Sequence, residues 1–552
     1  MRNPLRGPTV RDDLRAGVVL GVESIPDGLA AGLLAGVNPA FGLYGYMVGT
    51  FSGALSTASV FMSVQATGAM SVIIADVPQV HGGPAGDKAL FTLSIMTGVV
   101  MLTFGLLGLG ALVRFVPNSV LTGFINAVAI NIVLGQLGNF TAFSSDASNR
   151  VTRAINTFLH LNQWHWMSAA VGALTIVLIL VLERTRVGAL GLVVAVIVTS
   201  AATAVFGLDS VETLRDIADI PRTLPHPVLP SLTLMLVLLV PALSLALVGL
   251  VQGAAISNSV PNPDGRYPDA SGDFRGQGVA NIASGFLQGM PVGGSMSATA
   301  IVTSAGAKSR WANIVAGLTM AALIVLVGPL VGYIAMPSLA GLLILVGARA
   351  FNTGNMLMVW RTGRVQAATM VTTFVLTLLI ALQYAVLVGV GLSVILFVVA
   401  ESNKIKITRW LIESPGSLPM ETDAPLTLPA HEVVILQPYG SLFFAAAPVF
   451  ESQLPEVRPE STGSVVVIRL RGKQELGSTF ITVVQRYADA LQVAGNRLML
   501  VGVSPPVRAQ LDATRTTELV GSEGIFAATD RVTQSLLDAV TVADTWVADH
   551  RS

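Results

Sequence analysis

The chain has 552 residues, 52% of them hydrophobic and 12% charged, with a mean hydropathy of +0.70, which is too apolar for an ordinary water-soluble domain. Thirty-two basic residues balance thirty-two acidic ones, so no net field recruits nucleic acid. The absence of cysteine excludes disulfides, thiolate metal sites and cysteine nucleophiles while leaving the compartment open.

This composition predicts an integral membrane protein, its N-terminus "MRNPLRGPTVRDDLRAG" charged up to Arg15 and without the features of a signal peptide. In chain order, apolar stretches long enough to cross a bilayer lie at 16–36, 88–113, 119–137, 167–183, 188–206, 233–257, 311–334 and 365–400. Shorter or Gly-interrupted ones lie at 40–57, 66–77, 276–290, 297–306 and 337–351. With 365–400 divided near Gln383, the reading is an α-helical polytopic protein of about fourteen spans. Basic clusters at Arg2, Arg6, Arg11 and Arg15, at Arg184 and Arg186, at Lys308 and Arg310, at Arg361 and Arg364, and at Lys404, Lys406 and Arg409 then all fall on the cytoplasmic side. The acidic loop "GLDSVETLRDIADI" falls outside, and both termini are expected in the cytoplasm.

After Arg409 the texture changes. Residues 1–410 are read as the membrane domain, 411–430 as a linker containing "ESPGSLPMETDAPLTLP", and 431–552 as a cytoplasmic α/β domain. There, β-branched runs ("HEVVILQP", "SVVVIRLR", "RLMLVGV") alternate with helical stretches from Ser478 to Ala494 and from Thr529 to Ala548. Phe480, Val484, Tyr487 and Leu491 form one apolar face of the first, and Gly495 suits its stop.

Residues 52–67, "SGALSTASVFMSVQAT", and 284–299, "SGFLQGMPVGGSMSAT", share Ser-Gly-x-Leu, seven residues, then Ser-x-x-Ala-Thr. This predicts duplicated halves, each with a broken helix at a matching place, the pattern that marks transporter binding sites. Irregular backbone at membrane depth is tolerated only where protein or water surrounds it. A half-helix starting there presents unpaired N–H groups and a positive dipole end, and two such starts facing each other make an anion site. The starts are placed near Gln65, Ala66 and Thr67 and near Ser297, Ala298 and Thr299, with Ser295 and Met296 just before the second. The structural alternative is that these glycines only permit tight helix packing.

"DLRAGVVLGVESIPDGLAAGLLAGVNPAFGLYG" and "GQGVANIASGFLQGMPVGGSMSATAIVTSAGAKSR" resemble signatures of the sulfate permease (SulP) family of anion transporters, and the tail after His431 resembles its STAS domain. The resemblance implies seven plus seven inverted spans, a core domain moving against a gate, a small anion held between two half-helices, a homodimer, and residence in a bacterial inner membrane. It also exposes departures. Many members have an arginine where this chain has Ala298, so a fixed positive charge is missing and a monovalent anion such as bicarbonate is favoured over sulfate. A glutamate common in the eighth span is Gln252 here, a candidate neighbour of the ligand. The first span often reads Ile-Pro-Gln, whereas here Asp27 follows Pro26 and Glu23 lies one turn earlier.

Glu23 and Asp27 share a helix face, and each ionised acid at mid-membrane costs roughly 2.5–3.5 kcal/mol. Their repulsion suits a pair that shares a proton or binds a cation, so they are read as holding a coupling ion, Na⁺ or H⁺, with no other cofactor expected. The structural alternatives are that Asp27 bonds backbone freed by Pro26 and that Glu23 meets a polar partner. Asn126, Asn131 and Gln136 are read as bridges between helices, Asp76 as a boundary marker, His81 as an inert loop residue and Ser478 as an N-cap. With no P-loop, zinc helix or clustered histidines, an enzyme is not expected. The remaining alternative is an anion channel or a non-transporting anion-binding regulator of the same fold.

Overall fold

The computed structural model describes residues 8–110, 117–145, 147, 149–185, 187–217, 223–380, scattered positions from 384 to 399, 401–412 and 418–551. The expectations for Arg2, Arg6, Arg186 and the division at Gln383 fall outside them. The chain forms two compact units, Met1–Ser393 and Val394–Ser552.

In the first unit the long helices are α1 (Pro8–Leu34), α2 (Pro39–Ser56), α4 (Pro84–Leu106), α5 (Asn118–Thr141), α10 (Met235–Ser257), α11 (Ala270–Phe286) and α13 (Trp311–Val331). Between them run α3 (Gly68–Ala75), α6 (Arg150–Leu159), α7 (Trp166–Leu182), α8 (Gly191–Val205), the short α9 (Leu214–Ile217), α12 (Met296–Ser304), α14 (Met336–Ala350), α15 (Thr353–Thr362) and α16 (Arg364–Leu379). By length and composition, six helical stretches among the described residues can cross a membrane, α1, α4, α5, α10 and α13 included.

These helices gather into two bundles. In one, α1 packs on α2 and α13, α13 on α2, α11 on α2 and α4, and α4 on α10; in the other, α5 packs on α14 and α16, and α14 on α7. The first bundle's pairings match in sets: α1 with α13 answers α10 with α4, and α2 with α13 answers α11 with α4. A duplication equating α1, α2 and α4 with α10, α11 and α13 requires that pattern. Glycines permit the close approaches: a Cβ on Gly42 would stand 2.1 Å from the Gly28 carbonyl oxygen, so α2 rests directly on the α1 backbone.

The breaks fall where the repeat places them. Two three-residue strands, β1 (Ser63–Gln65) and β2 (Gly293–Ser295), pair antiparallel, and each leads into a half-helix, α3 or α12. Ser63 pairs with Ser295, the two positions that the sequence repeat equates, so a local twofold passes between them. The second half-helix starts earlier than expected: Ser295 is its N-cap and Met296 its first residue, leaving Ser297, Ala298 and Thr299 inside the first turn.

The second unit is a six-stranded sheet built from β3 (Lys406–Leu411), β4 (Met420–Asp423), β5 (Val433–Tyr439), β6 (Val465–Arg469), β7 (Arg497–Val503) and β8 (Ile525–Ala527), in the order β4-β3-β5-β6-β7-β8. The last four are parallel, whereas β3 and β4 run antiparallel. The sheet therefore begins upstream of residue 431, and the expected linker 411–430 contains a strand: a Pro- and Glu-bearing composition concealed an edge hairpin. Helices α17 (Ala447–Ser452), α18 (Ser478–Val493), α19 (Pro505–Ala513) and α20 (Thr516–Val520) contribute Phe450, Phe480, Val484, Leu491, Leu511 and Val520 to a core shared with Val434, Leu436 and Val466. Alternate strand residues Ile435, Val465 and Val467 face α21 (Gln534–Asp549) through Leu536, Ala539 and Ala543. The apolar face predicted for α18 is the one that is buried, and Gly495, at φ +72°, follows its end. Ser478 is not a cap; it is the first helical residue, and Gly477 takes the N-cap position without a side-chain bond.

Candidate functional site

Both strands are held by buried amides. Asn281 of α11 accepts from the Val292 amide at 2.8 Å and donates to the Val292 carbonyl at 2.6 Å, which reproduces a strand partner with a side chain. One turn away Gln277 accepts from the Gly294 amide at 2.9 Å. On the other side, Asn313 of α13 accepts from the Ser63 hydroxyl at 2.7 Å and donates to the Phe61 and Met62 carbonyls. Gln65 donates to the hydroxyls of Ser24 and Thr50, at 2.9 and 3.2 Å. Each interrupted backbone thus stays satisfied away from water.

Beyond the strands the half-helix starts open on one cavity of about 570 Å³, lined by Ala66, Thr67, Gly68 and Ala69 on one side and by Gly294, Ser295, Met296 and Ser297 on the other. Asp27, Tyr46 and Gln252 line it too, and Gln252 Oε1 accepts from the Thr67 hydroxyl at 3.0 Å, joining α10 to the start of α3. Opposite stand apolar side chains of α5 and α14, among them Phe124, Val128 and Leu343. A Cβ on Gly68 would lie 2.7 Å from Ile132 of α5, so glycine lets that side chain stand close against the first turn of α3.

Of the residues expected here, Ala66, Thr67, Ser295, Met296, Ser297, Gln252 and Asp27 line the cavity. Gln65, Ala298 and Thr299 do not: Gln65 is turned to Ser24 and Thr50, while the Thr299 hydroxyl bonds the Ser295 carbonyl at 2.6 Å and the Ser63 amide at 3.1 Å. Glu23 is 6% exposed on α1 and lies outside the cavity lining. Among the described residues no three or more acids and histidines gather into a metal-binding group, so a cation at Asp27 and Glu23 would need hydroxyl or carbonyl oxygens to complete its shell.

The sequence reading passed over Tyr46, Gln277, Asn281 and Asn313. Gln277 and Asn281 left a legible signal, two amides one helical turn apart in an otherwise small and apolar stretch. The bridging roles expected of the asparagines are present: Asn126 accepts from the Asn352 amide at 2.6 Å, and Asn131 donates to the Thr377 carbonyl at 3.0 Å. His81 is more engaged than expected, its ring nitrogens 3.1 and 3.2 Å from the Gly36 and Ala75 carbonyl oxygens.

The sequence profile of the sulfate permease family matches residues 10–373, and that of the STAS domain matches residues 426–531. YvdB of Bacillus subtilis (strain 168) is 25% identical over 532 residues, covering 94% of this chain and 97% of its own. Among solved structures, that of SLC26A9 aligns with a TM-score of 0.84 at 17% identity, over 98% of this chain and 91% of that one. The transmembrane domain of a cyanobacterium bicarbonate transporter, BicA, aligns with a TM-score of 0.59 at 22% identity, over 71% of this chain and 98% of that domain.

Proposed function

The chain belongs to the sulfate permease family, an integral-membrane transporter family and not one of enzymes, and from that premise we propose that it is a secondary active transporter of a small monovalent anion, bicarbonate before sulfate, coupled to Na⁺ or H⁺. The observation that carries the reading is the convergence of two half-helix starts on one cavity. Amide groups and dipole ends attract an anion there without a fixed cation. The cavity's described lining contains one carboxylate, Asp27, and no lysine or arginine. That balance disfavours a divalent oxyanion and favours entry of the anion together with a cation that neutralises Asp27, with Glu23 one turn away on the same helix as the second carboxylate. Alternating access would carry the first bundle against the second, in a homodimer of the bacterial inner membrane with both termini cytoplasmic.

The test is uptake of labelled bicarbonate and sulfate into proteoliposomes, with and without an inward Na⁺ or H⁺ gradient. Bicarbonate accumulation driven by one of these gradients is expected, and Asp27→Asn should lower that dependence at least tenfold, with Glu23→Gln acting in the same direction. If both variants keep the wild-type gradient dependence, coupling at these carboxylates is excluded. Flux that never exceeds equilibrium would point instead to a channel.

A further inference from the structure

The far end of α3 differs from the far end of α12 in a way that bears on the anion site, and the inference rests on the anion reading of α3 given above. The last helical turn exposes carbonyls and a partial negative charge, which cations stabilise and carboxylates oppose. After α12 the next charged residues in the chain are Lys308 and Arg310, and Arg310 bonds the Ala54 carbonyl at 3.2 Å. After α3 the chain supplies an acid, Asp76, at the C-cap. Six helical residues separate Asp76 from Ala69 at the cavity, about 10 Å along the axis, so a full negative charge stands behind the amides that would hold the anion.

A cation reaches it from another helix. Arg150, the first residue of α6, places Nη2 2.8 Å from Asp76 Oδ1 and 3.2 Å from the carbonyl oxygen of Val72 in α3. Both side chains are 18% exposed, so water screens the pair only in part. They line a second cavity of about 720 Å³, together with His81, Arg153 and Glu212. We propose that Arg150 is a positioning residue for anion binding: it cancels the charge of Asp76 and bonds a carbonyl of the last turn of α3, so that the half-helix offers the substrate an undiminished positive start.

The sign of the effect distinguishes this from a structural brace. At roughly 15 Å and an effective dielectric constant near 20, one added unit charge changes affinity about sixfold. In proteoliposomes, with labelled bicarbonate and sulfate as probes, Arg150→Gln should raise KM about sixfold, Asp76→Asn should lower it by a similar factor, and the double variant should return near the wild type. Arg150→Lys should stay close to wild type. Maximal rates should change little, and thermal midpoints of the purified variants report folding separately. Two singles that shift KM in the same direction, or a double variant as weak as Arg150→Gln, would overturn the inference. If Arg150→Gln does not fold, Asp76→Asn alone decides, because an unchanged or higher KM contradicts it. Wild-type protein that transports neither probe would overturn the transport reading and this inference together, before any variant is compared.

Discussion

A buried carboxylate with all its donors in place shows how far one residue can be read from sequence. Asp273 of α11 is 1% exposed; its carboxylate accepts from the Ser59 amide at 2.7 Å and from the hydroxyls of Ser59 and Ser257 at 2.5 Å each. It therefore ties α10 and α11 to the segment that leads into β1. Removing a charged partner from buried donors costs about 1.5–3 kcal/mol per bond. Asp273→Ala should lose about 3 kcal/mol or more and lower the thermal midpoint of the detergent-solubilised protein by several degrees, while Asp273→Asn, which keeps one acceptor oxygen, should lose less. An Asp273→Ala protein with a wild-type midpoint would contradict this. Glu23 and Asp27 could be singled out because what marks them, each other and Pro26, lies within one turn. Asp273 could not, because Ser59 is 214 positions away. Ala298, where the family resemblance leads one to expect an arginine, lies in the first turn of α12 and outside the cavity lining.

At the level of elements, the second interruption was legible because Gly289, Pro291, Gly293, Gly294, Ser295 and Ser297 crowd into one short stretch. The strands were not, since a three-residue piece such as Gly293–Ser295 has no period to detect and forms only because another segment offers a matching edge. For the same reason the start of α12 was placed a few residues late: a repeat in sequence gives equivalence of position, whereas pairing with β1 decides where the helix begins. The side-chain strand made by Asn281 is the element most open to test. Asn281→Leu keeps the branching at Cγ but strips partners from both the amide and the carbonyl of Val292, at about 1–3 kcal/mol each. It should depress the thermal midpoint and raise the transport KM, because β2 runs directly into the first turn of α12. Asn281→Asp, which retains an acceptor for the Val292 amide, should fall between. Equal KM in all three proteins would separate β2 from substrate binding.

For the whole molecule, the change of composition after Arg409 marks the α/β part, but the sheet takes in β3, which begins before that change. Strand pairing, not local polarity, decides which residues belong to the sheet. Starting the soluble part at residue 431 would omit β3, which pairs with β5 from Lys406 opposite Tyr439 to Trp410 opposite Ile435. It would also remove Ile405 and Ile407, each 4% exposed in the core that contains Phe450 and Phe480, and Trp410, over whose ring Arg469 lies at 4.7 Å. Burial of each isoleucine contributes about 1.5–3 kcal/mol, and the bare β5 edge invites pairing with another chain. A fragment of residues 404–552 should therefore unfold cooperatively as a soluble monomer. One of residues 431–552 should melt more than about 10 °C lower or elute as aggregate in size-exclusion chromatography. Matching midpoints for the two fragments would mean that β3 and β4 are an ornament on a sheet complete without them. A lower midpoint would place the edge of the domain's cooperative unit within the stretch whose composition reads as a linker.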